Sequence, residues 1–93
     1  MTKIDVEEFE GRPHELVFIA RRTREAERVE ALLNDEGIDY ALAFEPFLHG
    51  GIFGVTTLTG VGFYVASDQA RDCRELLERR GFAVGVVEEF SEG

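Results

Sequence analysis

His14, His49 and Cys73 are the residues of this sequence best equipped for chemistry, since imidazole and thiol serve as bases, nucleophiles and metal ligands. Their spacing does not assemble them. The two histidines are too far apart in sequence to form a local ligand pair, and the single cysteine has no Cys-Xaa-Xaa-Cys companion, so no metal site is expected. His49 could exchange a proton, yet no motif sets a nucleophile or a paired carboxylate beside it, and a surface histidine is the plainer reading. Arg21, Arg22, Arg24 and Arg28 crowd the start of a predicted helix, where free amides favour an anion. Glu25, Glu27 and Glu30 interleave with them, and Arg21 and Glu25 have ion-pair spacing, so an ordinary solvated face explains the cluster. The run Gly50-Gly51-Ile52-Phe53-Gly54 lacks the Lys-Ser/Thr that would make it a phosphate loop. No catalytic residue, no cofactor and no enzymatic activity are expected.

The elements that would position these residues come as an internal repeat. A shift of 44 residues lays TREAERVEALLNDEGI, from Thr23, on SDQARDCRELLERRGF, from Ser67. Thr23 and Ser67 are predicted N-caps, whose hydroxyls accept orphan amides, and Gly37 and Gly81 are predicted left-handed residues that end the helices. Ala26, Val29, Leu32 and Leu33 fall on Ala70, Cys73, Leu76 and Leu77, one apolar stripe per helix, which makes Cys73 a small core residue.

The flanks follow the same shift: Val17 and Ile19 fall on Val61 and Phe63, and Ile38, Tyr40 and Leu42 on Phe82, Val84 and Val86, alternating as strands do. Two strand-helix-strand units in series predict an α+β, ferredoxin-like βαββαβ sandwich, a four-stranded antiparallel sheet with both helices on one face. The predicted organisation is an acidic N-terminal tail over residues 1–14, one domain over 15–90 and a C-terminal tail over 91–93. Within the domain the repeats cover 15–45 and 61–90, joined by a loop over 46–60.

At 93 residues the chain suits one hydrophobic core, and 44% hydrophobic with 31% charged residues is a globular balance. The net charge of −9 disfavours nucleic acid, which needs a clustered positive surface. No apolar stretch is long enough to span a bilayer and the start is acidic, so no membrane association and a cytoplasmic location are expected.

The helical repeat, with the strand leading into Ser67-Asp68, resembles the family of small bacterial domains of unknown function described as prokaryotic signal-transducing proteins. The resemblance spans about residues 15–82 and rests on EAERVEALLNDEGI and VGFYVASDQARDCRELLERRGF. It implies a ferredoxin-like fold and, by analogy with the nitrogen-regulatory PII proteins, a signalling role. It implies no site residue.

Two surfaces stand out as working surfaces. The 46–60 loop carries Phe47, Leu48, His49, Ile52 and Phe53, apolar for the most part, which either tuck back as a lid or short extra strand pair or contact a protein partner or small ligand. The sheet face away from the helices is predicted to hold Leu16, Phe18, Ala20, Ala41, Ala43, Tyr64, Ala83, Gly85 and Val87, too apolar for a solvated face. Sheet-to-sheet homo-oligomerisation as a dimer or trimer would cover it. The expected function is a non-enzymatic regulatory or adaptor domain, with a small-molecule sensor, its ligand at a subunit interface, as the alternative.

Overall fold

The computed structural model describes residues 3–4, 12–52 and 54–88. In chain order it runs β1 (Lys3–Ile4), β2 (His14–Ala20), α1 (Thr23–Asp35), β3 (Tyr40–Gly51), β4 (Gly54–Ala66) and α2 (Ser67–Arg79), then a 3-10 turn over Ala83–Gly85. The fold is α+β: β2, β3 and β4 form an antiparallel sheet in the order β3-β4-β2, and two helices pack on one side. The succession of strands and helices is roughly ferredoxin-like. Lys3 and Ile4, expected within a tail, add a two-residue parallel strand against Tyr40 and Ala41. Of the expected tails, residues 1–2, 5–11 and 91–93 lie outside the described residues, as do 89–90 at the end of the expected domain, whereas His14, expected in the tail, begins β2.

The duplication is visible as physics. Both helices end in a Schellman motif: Gly37 N–H donates to Asn34 O and Ile38 N–H to Leu33 O, and Gly81 and Phe82 do the same with Glu78 and Leu77. Gly37 at φ +69° and Gly81 at φ +92° supply the left-handed residue that any side chain would strain. Glu36 and Arg80, equivalent across the repeat, meet as an ion pair at 3.7 Å. The stripes close the core, where Ala26, Val29 and Leu33 of α1 and Ala70, Cys73 and Leu77 of α2 join Val17, Phe18, Tyr40, Phe63 and Val65. The N-caps differ from expectation. Thr23 and Ser67 are already helical, Arg22 and Ala66 hold the cap positions, and neither cap makes a side-chain hydrogen bond. Other partners satisfy the entry amides: Glu25 accepts from Arg21 N–H at 3.0 Å, and Pro13 O accepts from Ser67 N–H at 3.0 Å.

Three further expectations are corrected. The fourth long strand is absent among the described residues: 82–87 forms the 3-10 turn and touches the sheet through one antiparallel bridge, Phe18 to Val86, with Val87 N–H donating to Val17 O. Arg74, only 8% exposed, takes over the missing ladder. Its Nε donates to Val87 O at 2.6 Å, Nη2 to Leu16 O at 3.1 Å and Nη1 to the Glu15 carboxylate at 3.0 Å, so one guanidinium rivets the C-terminal segment to β2. Second, the 46–60 segment is not a loop. It forms the outer half of a hairpin in which β3 and β4 stay in register from Ala41–Tyr64 to Gly51–Gly54. Third, Phe18 does not lie on the open face. A bulge at Val17 shifts the register so that Leu16 pairs with Tyr64 but Phe18 with Phe63, turning both Val17 and Phe18 into the core. Ala20 follows Phe18 into the core, and Ile19 turns outward instead.

Leu33→Ala and Leu77→Ala, each emptying a fully buried position, are each expected to cost about 2–5 kcal/mol in denaturant unfolding. Leu32→Ala, at the half-buried edge of the stripe, is expected to cost less than either. Arg74→Ala is expected to cost about 2–3 kcal/mol, below the value for a fully buried pair because Glu15 keeps some access to water. A loss under about 1 kcal/mol for both leucine variants would refute the core assignment.

Candidate functional site

The hairpin of β3 and β4 projects beyond the helices as an arm, and its side chains sort by strand alternation. On the side the helices occupy at the base, β3 presents Leu42, Phe44, Pro46, Leu48 and Gly50, and β4 presents Val61, Thr59, Thr57 and Val55. Leu42 and Val61 still touch the core. Beyond them Phe44 is 82% exposed, Leu48 70% and Val55 69%, and Ile52 at the tip is 93% exposed. Such a contiguous apolar row is uncommon on a protein that works alone. Glu45 is the single Asp, Glu, Lys or Arg in residues 40–66, so the arm is nearly free of charge in a chain of net −9.

The opposite side of the sheet fills itself. Gly60 and Gly62 of β4 leave hollows that neighbouring side chains enter: a Cβ on Gly60 would stand 2.8 Å from Ile19 Cγ2 and 3.1 Å from the Phe47 ring, and one on Gly62 would strike Glu45 and come 3.0 Å from Leu16. Glu45, lying across Gly62, accepts a hydrogen bond from Tyr64 Oη. The Tyr64 ring meets His14 edge-on at 5.9 Å between centroids. Phe47 is half-buried, capped by the Arg21 guanidinium 5.0 Å above its ring. The apolar open face read from the sequence is therefore mostly covered by its own chain.

The surfaces named from the sequence divide accordingly. Leu48 and Ile52 are exposed on the arm, and Phe47 and Tyr64 are half-buried on the opposite sheet face. His49 contributes its backbone to the arm, opposite Thr56. Phe18 is core, and Phe53 lies outside the described residues. Phe44, the most exposed aromatic described, was missed because its position alternates with Tyr40 and Leu42 as a core residue would. Its exposure follows from where the helices stop.

Tyr40, Tyr64 and Cys73 are the described groups whose titration burial displaces. Burial and the Glu45 carboxylate push the Tyr64 phenol up to about 12, and burial and Glu30, which accepts from Tyr40 Oη at 3.0 Å, do the same for Tyr40. Burial pushes the Cys73 thiol up to about 11 against the pull of Arg74, which leaves it protonated and unreactive at neutral pH. Among the described residues no three His, Cys, Asp or Glu side chains gather to hold a metal ion, and no helix is long and apolar enough to cross a membrane. At the base of the arm, Arg21, Arg22 and Thr23 face Phe44 across a cavity of about 300 Å³ floored by Thr59, Gly60 and Val61.

Tyr40 and Tyr64 are the chain's two tyrosines, so phenolate absorbance reads both hydrogen bonds directly. Folded-state pKa values raised from 10 to about 12 mean that their contribution to stability is present below pH 10 and is lost as the pH rises toward 12. The folded chain is expected to titrate near 12 and the denatured chain near 10, with Tyr64→Phe removing half of the late amplitude. A folded-state midpoint near 10 for either tyrosine would show that its phenol is neither buried nor held by its carboxylate as described. Compared with protein-family models, curated proteins and solved structures, this chain finds no match, and the role of the arm is argued from its own geometry.

Proposed function

We propose that this chain is a non-enzymatic regulatory or adaptor domain, of ferredoxin-like arrangement with its fourth strand reduced to a bridge, and that it works by binding protein through the hairpin arm. The observation that carries this reading is the exposure of Phe44, Leu48, Val55 and Ile52 on a stretch whose one charged residue, Glu45, lies on the other face. Desolvating such a surface costs little and gains about 25 cal/mol per Å² of apolar area covered, whereas the exposed sides of the two helices mix carboxylates and guanidinia that resist burial. The structural employment of Tyr40, Tyr64 and Cys73 agrees with this, since each is held by packing or hydrogen bonds. The signalling role implied by the resemblance to small bacterial signal-transducing domains agrees with a binding module.

Carbene footprinting tests the reading. Labelling of Phe44, Leu48 and Ile52 is expected to be high in dilute purified protein and to fall several-fold when the same protein is placed in an extract of its own cells or is concentrated. Phe44→Ser and Leu48→Ser, both at exposed positions, should change stability at high dilution by no more than about 0.5 kcal/mol while removing the protection from the rest of the arm. Labelling that stays high in every setting would overturn the proposal.

A further inference from the structure

We infer that the occupant of the arm is a second copy of this chain, seated helix-side face against helix-side face about a two-fold axis. The inference rests on the protein-binding reading of the arm and names its partner.

Shape is the first argument. On the helix side the β3 row is bulky, with Phe44, Pro46 and Leu48, while the facing β4 row is low, with Thr59, Thr57 and Val55. Because the helices occupy this same face at the base, a two-fold axis set across the strands lays the two arms antiparallel, each tip toward the other copy's helices, and a single surface meets itself as an isologous contact requires. Two sheets packed in this way lie about 10 Å apart, a gap that Phe44 and Leu48 fill from both sides.

Area is the second. Phe44, Pro46, Leu48, Ile52 and Val55 are exposed, and at roughly 100 Å² for a large apolar side chain they offer on the order of 500 Å² per copy. A pair then buries about 1,000 Å², the lower limit for a specific dimer, and the half-buried Leu42 and Val61 at the base extend it.

Charge is the third. Two copies of net −9 repel over most approaches, and the arm is where they can meet without bringing carboxylates together. Arg22 lines the cavity beside Phe44 and favours the approach of an acidic body, which a second copy of this chain is. Glu45 is turned to the opposite face, where it accepts from Tyr64, and does not enter the contact.

Sedimentation equilibrium of the full chain over a wide concentration range tests the inference. The wild-type protein is expected to reach twice the 10.5 kDa chain mass at micromolar concentration. Phe44→Glu with Leu48→Glu, which sets carboxylates against each other across the axis, should weaken the dimer by on the order of 100-fold or more while helical circular dichroism is retained. Val55→Asp is the second disrupting variant, should the first fail to fold. Leu58→Glu, on the opposite face of the arm, should leave the dimer intact. A wild-type protein that stays monomeric overturns the inference, and so does a dimer that resists both disrupting variants or is lost with Leu58→Glu. If the protein is monomeric alone but its arm is still protected in cell extract, the second copy is wrong as the partner and the protein-binding function stands.

Discussion

The two layers of this molecule differ in length, and most of its character follows from that mismatch. A 13-residue helix is about 20 Å long, whereas the 13-residue strand β4 reaches about 40 Å, close to the longest dimension of the molecule, 41 Å. Even laid along the strands, α1 and α2 can cover only half of the hairpin. The covered half, from Tyr40 to Leu42 and from Val61 to Val65, is core, and the uncovered half keeps the same apolar alternation with nothing on it. An exposed Phe44 is thus a consequence of layer lengths and not of a local change in sequence character. A lone two-stranded ribbon is marginal in water, so an arm of this length gains its persistence from the β2 and helix contacts at its base and from whatever covers its face.

The repeat was the most legible feature of the sequence because each of its signals is local. A glycine three or four residues past an apolar stripe fixes a Schellman ending, and both endings are present with the same donors and acceptors. The helical stripes were equally plain, since Ala-Val-Leu-Leu spacing at the period of a helix has one packing solution. The caps were less so: Thr23 and Ser67 have the chemistry of a cap, but Glu25 and Pro13 already satisfy the neighbouring amides, and the hydroxyls are not needed.

What could not be read depends on long-range register. Alternation along β2 gave one face as Val17 and Ile19, but one extra residue at Val17 moves everything after it to the other side, and nothing local marks a bulge there. The short C-terminal contact with β2, a single bridge among the described residues, is likewise set by distant partners. The bulge lies on β2, only glycine fits at position 85 because a side chain there would strike the Phe18 ring, and Arg74, fifty-odd residues from Glu15 in sequence, bonds to it. In the aligned helix that position is Glu30, which holds Tyr40 instead. The same repeat position was thus given opposite charges for two different closures, and only the folded partners reveal which. The hairpin arm, by contrast, was within reach: Thr56, Thr57, Thr59 and Val61 are strand formers, and the glycines at 50, 51 and 54 belong to its tip rather than to a loop spread over the whole segment.

The arm protects its edge and leaves its face open, and that asymmetry limits how it can associate. Beyond the two residues paired with β1, the outer edge of β3 has no partner strand among the described residues, a liability for uncontrolled strand addition. Pro46 sits in the middle of that edge. A proline within a two-sided ladder would break it, and Pro46, with no amide hydrogen to give, lies on an edge strand where proline is tolerated. An incoming strand meets a gap there. No equivalent guard stands on the helix-side face, where a lysine in place of Phe44 or Leu48 would have sufficed. Strand addition at a free edge propagates without limit, whereas packing on a face that matches itself closes after two copies. A guarded edge beside an unguarded face admits the closed arrangement and suppresses the open one, which a small acidic protein with an exposed apolar arm requires if it is to associate and still stay in solution.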